Sequence, residues 1–296
     1  MPHLRMKDGR RIHFEVAEPA GERESMALVF HHGQPGAAML WDPLVYEASR
    51  HGWPMAMLSR PGYATSDRHE GRRVADAAGD VGAVLDHLGF DRFVTVGWSG
   101  GGPHALASAA LSGSRCAAAA TIAGVAPYEG VDDLDWTAGM GPENVEEFQA
   151  LIDGDPGIEQ KVAELISSLR DIQPPQLVDA LGGLLSAPDK KALVGDTADF
   201  LAAWLRLAAS TGPAGHWDDG LAFINDWGFD LADITVPVTV WRAGEDLMVP
   251  PSHGEWLVAH IRGATARLEP DEGHISLMFS HFGEIVDQLA ADAGAS

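Results

Sequence analysis

Phe93-Val94-Thr95-Val96-Gly97-Trp98-Ser99-Gly100-Gly101-Gly102-Pro103 is the stretch on which the reading of the fold turns. Phe93–Val96 runs without polar alternation, as expected of a strand buried on both faces. The Ala-rich segment Pro103–Leu111 predicts a helix, with a proline suited to its first turn. Between them, Gly97-Trp98-Ser99-Gly100-Gly101 matches the pattern G-x-S-x-G. Five residues of this kind arise often by chance, so the flanks decide their meaning. A serine on a sharp strand-to-helix turn is held in a strained conformation with its hydroxyl beyond the sheet edge. Glycines on either side let strand and helix pass closely. The bland alternative is a glycine-rich turn whose serine only caps a helix. The flanking strand and helix favour Ser99 as a nucleophile.

Working outward, the chain repeats one grammar. Leu4–Met6 and Arg11–Val16 predict a hairpin turning at Asp8-Gly9. Apolar runs at Met26–His32, Pro54–Ser59 and Cys116–Ala123 predict further strands. Helices are expected between them. One is capped by Asp42, opens on Pro43 and is closed by Gly52. Another carries Val74, Ala78, Val81, Leu85 and Leu88 on one face. Such alternation implies an α/β fold with a mostly parallel sheet and helices on both faces. The pattern breaks from Tyr128 to Asn225, where helical stripes (Ile158, Val162, Leu165, Leu169; Phe200, Trp204, Leu207) are cut by Gly and Pro. This predicts a helical cap at 128–225 inserted in a core of 1–127 and 226–296. Strands resume at Val236–Trp241 and Ala264–Leu268, with helices at Ser252–His260 and Phe282–Ala290.

A neutral serine hydroxyl needs a base. Of the 13 histidines, His274 stands best, in a loop just after the last strand, where such sheets build their sites. Asp246 in Gly244-Glu245-Asp246 is placed to orient it, and the order Ser, Asp, His suits this chemistry. Glu245 is its main rival and Glu129 a weaker one. An oxyanion needs two backbone N–H donors. Gly100 at the start of the helix offers one, and Gln34 in His32-Gly33-Gln34-Pro35-Gly36 the other. His104, one turn into the helix, reads as structural. The histidines lack the spacing of a metal site. No phosphate-binding loop appears, and no cofactor is expected.

Together His32-Gly33-Gln34-Pro35-Gly36, Arg60-Pro61-Gly62-Tyr63, Gly97-Trp98-Ser99-Gly100-Gly101-Gly102, Gly244-Glu245-Asp246 and Gly273-His274 resemble the α/β-hydrolase superfamily. HGxPG and GxSGG are similar to its proline iminopeptidase branch and esterase relatives. The resemblance implies an eight-stranded sheet with an antiparallel second strand, and a cap after strand six. Ala64 departs from the glycine that the family places after the tyrosine, a change of loop packing. In the peptidase branch, cap carboxylates bind a free amine, and Glu143, Glu146 and Glu147 are this chain's candidates. Trp136, Phe148, Trp204, Trp217 and Phe223 are available to line an apolar pocket, or to form the cap's own core.

The 296 residues suffice for one large core. A net charge of −23 repels nucleic acid. The acidity reads as a solubility feature or as a field for cationic substrates. The single cysteine, Cys116, excludes intramolecular disulfides and reads as a buried small hydrophobe. The opening MPHLRMKDGRRIHFE lacks the apolar run of a secretory leader, and no apolar stretch is long enough to span a membrane. A cytoplasmic protein acting on a small molecule is expected, as monomer or homodimer. The expected activity is cleavage of a small carboxylic ester or lactone through an acyl-enzyme by Ser99, His274 and Asp246. The alternatives are a proline iminopeptidase-like aminopeptidase, a cofactor-free perhydrolase or C–C hydrolase, and a slow ligand-sensing receptor on the same fold.

Overall fold

The computed structural model describes residues 1–294. Its strands are β1 (His3–Arg5), β2 (Arg11–Ala17), β3 (Met26–His31), β4 (Met55–Leu58), β5 (Arg92–Trp98), β6 (Cys116–Ile122), β7 (Val238–Ala243) and β8 (Thr265–Glu269). They form one eight-stranded sheet in the order β1-β2-β4-β3-β5-β6-β7-β8. The β1–β2 and β2–β4 pairings are antiparallel, so β2 alone runs against the others. Every pairing from β4 through β8 is parallel. The central strands explain the unalternating apolar runs. All of Cys116–Ile122 and all but the first residue of β5 are buried, as helices on both faces require.

The helices of the sheet are α1 (Asp42–Ser49), α2 (Asp76–Leu88) and α3 (Gly102–Leu111). Gly89 closes α2 in the left-handed conformation. Two expectations are corrected here. Asp42 is the first helical residue of α1 and not its cap, which falls on Trp41 in extended backbone. Asp42 contributes charge to the first turn instead. The last helix does not begin at Phe282. It runs from His274 to Gly294, so His274 opens a helix and does not sit in a loop.

Between β6 and β7 the chain runs through α4 (Pro142–Asp153), α5 (Ile158–Leu169), α6 (Leu177–Leu181), α7 (Ala187–Ala192), α8 (Gly195–Ala209) and α9 (Ala214–Ile224), with no strand among the described residues. Pro and Gly supply the breaks, as with Pro142 in the first turn of α4 and left-handed Gly154 at its end. The stripe Ile158, Val162, Ile166, Leu169 buries one face of α5. The remaining helices are α10 (Pro251–His260) and α11 (His274–Gly294). No described helix is long and apolar enough to cross a membrane.

Candidate active site

Ser99 sits where β5 hands over to one 3₁₀ turn, Ser99–Gly101, and then to α3. Its φ is 56°, a left-handed conformation that few non-glycine residues adopt. Sterics enforce the corner. A Cβ on Gly97 would strike the Gly101 carbonyl, and one on Gly101 would strike the carbonyl of His31. The alternatives that the sequence raised, a nucleophile or a plain helix cap, differ in backbone geometry. No side-chain cap hydrogen bond is made at this turn.

His274 and Asp246 come together at one edge of the sheet, beyond the carboxyl ends of the parallel neighbours β8 and β7. His274 Nδ1–H donates to Asp246 Oδ2 at 2.8 Å, with both side chains buried. The other carboxylate oxygen, Oδ1, accepts the backbone N–H groups of Met248 and Val249, each at 2.8 Å. The rival Glu245 is exposed, and Glu129 faces a surface groove beside Trp256 and His260. Trp98 ties the serine corner to the histidine: its Nε1–H donates to the His274 carbonyl at 3.1 Å, and the two rings lie 5.3 Å apart.

The loop after β3 lies against the corner. A Cβ on Gly33 would sit 3.4 Å from Ser99 Cβ, and one on Gly100 would sit 3.1 Å from Gln34 Cβ. The Gly33–Gln34 peptide is held from behind. The Gly33 carbonyl accepts Arg60 Nη2–H at 2.8 Å and His32 Nδ1–H at 2.7 Å, while Arg60 Nη1–H reaches the His32 carbonyl at 2.5 Å. Because a trans amide is planar, the Gln34 N–H then points away from Arg60, opposite to the Gly33 carbonyl. His32 must be neutral for this, since its Nε2 accepts the Arg60 backbone N–H at 3.1 Å. Burial, reinforced by the Arg60 cation, keeps it well below the ordinary imidazole range.

Arg60 is itself fixed by Asp219 in α9, at 2.6 Å. Asp219 is fully buried and also accepts from Arg72 at 2.6 Å and from the Tyr63 hydroxyl at 2.8 Å. Burial alone would raise its pKa, but Arg60 and Arg72 outweigh that and hold it well below the usual carboxylate range. His104 lies 3.6 Å from this carboxylate, beyond hydrogen-bond reach, and burial lowers it to about 4.

Ser99, Gln34, Gly100 and His274 share the walls of one cavity of about 310 Å³. Its remaining lining is mainly apolar, with Val162, Leu165, Leu169, Leu201 and Leu205 prominent. Of the aromatics offered for a pocket, Phe148 and Phe223 line it. Trp204 does not: it stacks 5.5 Å from Trp98 and donates to the Ala37 carbonyl at 2.5 Å. Trp136 packs on His253 and donates to the Ala126 carbonyl. Glu143, Glu146 and Glu147 all reach the wall. Glu146 pairs with Lys161 at 2.6 Å where both are exposed. Glu147 is largely buried and pairs with His216 Nε2 at 2.7 Å. Burial disfavours charge on both, yet each holds the other ionised, lowering Glu147 and raising His216.

The family model described as the alpha/beta hydrolase fold matches residues 27–280. The chain belongs to that family. It is 31% identical over 134 residues to a non-heme chloroperoxidase of Streptomyces lividans, matching 45% of this chain and 48% of that protein. It is 31% identical over 129 residues to a bifunctional esterase/perhydrolase of Acinetobacter calcoaceticus, matching 43% and 46%. The matches thus span about half the length of these curated relatives. Among solved structures, a bromoperoxidase from Bacillus anthracis superposes with a TM-score of 0.70 at 20% identity, covering 96% of each chain. That likeness supports the fold.

For this alpha/beta hydrolase, the sequence reading missed three buried groups around the site: Arg60, Asp219 and Asp189. Asp189 in α7 is fully buried, and its carboxylate meets the start of α11. Arg60 stood within a quoted motif without a role. Asp219 follows Asp218 and Asp189 precedes Lys190-Lys191, so in the sequence both look like ordinary surface carboxylates. Ser186-x-x-Asp189 has the form of a capping box, and the structure forms one.

Proposed function

We propose that the protein is a serine hydrolase that cleaves a small carboxylic ester or lactone through an acyl-enzyme. In this reading Ser99 attacks the carbonyl. His274 takes its proton on Nε2 and returns it to the leaving oxygen. Asp246 fixes the tautomer and stabilises the imidazolium. The N–H groups of Gln34 and Gly100 receive the oxyanion. Water then attacks the acyl-enzyme with His274 as base, releasing the acid and freeing Ser99. The carrying observation is the left-handed Ser99 corner on the same cavity wall as His274, whose Nδ1 is bound by Asp246.

The helical segment 128–225 serves as a cap on a core of 1–127 and 226–296. It supplies most of the apolar wall. The cavity of about 310 Å³, with its mainly apolar lining, lies at the small end of ordinary small-molecule pockets. The substrate is therefore a small molecule with an apolar portion. An aminopeptidase is less well supported, because the buried Glu147 already spends its charge on His216. The esterase named among the relatives supports ester cleavage, and the perhydrolase makes hydrogen peroxide the alternative acyl acceptor to test.

A fluorophosphonate probe should label Ser99, and Ser99→Ala should lose both labelling and turnover. A series of p-nitrophenyl esters of rising chain length, with lactones alongside, should show kcat/KM rising to medium chains and then falling. Steady release of many equivalents separates an enzyme from a sensor, which releases about one per chain. No labelling of the folded wild-type protein overturns the reading.

A further inference from the structure

The first turn of α11 carries His274; its neighbour Ser276 caps only the preceding residue, accepting the Gly273 N–H on Oγ at 2.8 Å, and the first N–H groups of the helix itself go elsewhere. The backbone N–H of His274 donates to Asp189 Oδ2 at 3.2 Å. Those of Ile275 and Ser276 donate to Asp189 Oδ1 at 2.8 and 3.0 Å. The first N–H groups of a helix have no partner within it, and where they are buried water cannot substitute. Here one carboxylate, 85 positions away for His274, takes three of them. It is itself held by the Ser186 hydroxyl, which donates to Oδ2 at 2.9 Å. The approach is tight. A Cβ on Gly273 would sit 2.5 Å from the Asp189 carboxyl carbon, so only glycine admits the carboxylate there.

We infer that Asp189 is a positioning residue for His274. Asp246 fixes the ring end of this side chain, and Asp189 fixes the backbone end. Neither suffices alone. A hydrogen bond to Nδ1 sets the ring's rotation, but the reach of Nε2 toward Ser99 depends on where the His274 Cα sits. That Cα is the first of a helix whose buried stripe, Ile275, Met278, Phe282, Ile285 and Leu289, starts at the next residue. The negative charge also opposes the positive end of the helix dipole. Through α7, the cap therefore takes part in placing the base as well as in lining the pocket. The inference rests on the serine hydrolase reading for its consequence, although the placement itself is testable without activity.

The test uses Asp189→Asn in the full chain. Asparagine keeps an oxygen for Ile275 and Ser276, but it sets an NH₂ group against the His274 N–H, so the loss is local. The expected result is a folded protein with KM within about twofold and kcat lower by about 10- to 100-fold, the cost of misplacing a catalytic group by about 1 Å. Asp189→Ala should lose more, and the conservative variant should recover part of it. The second readout is the far-downfield proton NMR signal of the His274–Asp246 hydrogen bond, which should broaden or vanish in Asp189→Asn. Global destabilisation below the melting temperature would leave that signal in place. Should Asp189→Asn not fold, Ser186→Ala carries the test, with a fall in kcat of about two- to fivefold expected from a loosened carboxylate. Wild-type kcat and a wild-type signal in whichever variant folds overturn the inference. Failure of the wild-type protein to label at Ser99 would instead remove the hydrolase reading, leaving the NMR result to judge the placement.

Discussion

The serine corner and the ring of groups facing it are built in different ways. Ser99 is placed by its immediate neighbours. β5 delivers it, Gly97 and Gly101 let the chain turn back on itself, and α3 carries the chain away. Everything that faces Ser99 is placed from a distance. Asp246 reaches His274 across 28 positions, Asp189 reaches it across 85, and Asp219 reaches Arg60 across 159. A local corner is robust to change elsewhere in the chain. A ring assembled by buried charges from three segments fails piece by piece. Variants of the ring should therefore divide the site into parts that govern rate and parts that govern stability.

The largest effect is expected at Asp246. Its Oδ1 is committed to the N–H groups of Met248 and Val249, so only the Oδ2 side faces His274. In Asp246→Asn the two backbone donors hold the amide oxygen in place and turn the NH₂ toward Nδ1. His274 then carries its proton on Nε2 and cannot accept one from Ser99. The expected loss in kcat is on the order of 10⁴-fold, about 5.5 kcal/mol in the barrier, with unchanged melting behaviour. Glu245→Gln, exposed and outside this geometry, should leave kcat where it was. Reversal of the two results would break the comparison at its first member.

Asp219 should come next, and mainly as a stability effect. It neutralises two buried guanidiniums, those of Arg60 and Arg72. Asp219→Ala leaves both charges without it, a loss of about 3–5 kcal/mol in unfolding free energy. Because its folded pKa is depressed, its contribution is fully present above the unfolded carboxylate pKa and is lost as pH falls through the folded one. The gap between wild type and Asp219→Ala in urea denaturation should therefore hold at neutral pH and narrow only under strongly acid conditions. A gap that stays constant down to acid unfolding would mean that the network is held by packing alone.

Much of this was legible beforehand, and the reason follows from the same division. The strands announced themselves as apolar runs, and the strand-to-helix corner at Ser99 was legible because it is written in five adjacent residues. The contact of Asp246 with His274 and the place of Gln34 on the cavity wall could be anticipated from their positions after strands. What escaped was information shared between distant segments. Arg60 looks like any loop arginine until Asp219 is set beside it. His274 was placed in a loop although the stripe Ile275, Met278, Phe282, Ile285 already starts beside it, because no N-cap residue precedes it and the carboxylate that caps its first turn sits in α7. Asp189 carried a faint local sign, a serine three residues before it in capping-box form. Nothing in the sequence said that the same carboxylate would cap a second helix. Glu147 was offered as an amine ligand for want of its partner, His216, which lies 69 positions on.

The smallest effect is expected at the Gln34 side chain, and it sharpens the comparison most. Two long-range ties act on the loop that bears the Gln34 N–H. One is Arg60 on the His32 and Gly33 carbonyls. The other is Gln34 Nε2–H on the His216 carbonyl at 2.8 Å. Only the first acts on the peptide whose N–H is proposed to face the oxyanion, since planarity transmits the carbonyl's direction to the N–H and a side chain does not. Gln34→Ala should cost about 1 kcal/mol of stability for one lost neutral hydrogen bond. Its kcat should stay within about threefold of wild type, because the backbone donor is untouched. Arg60→Lys should lower kcat more than this, since one ammonium cannot span two carbonyls and Asp219 as the planar guanidinium does. If Gln34→Ala proves the more damaging of the two, the N–H is aimed by the cap helix α9 through the side chain, and the clamp on Gly33 is a stability device alone.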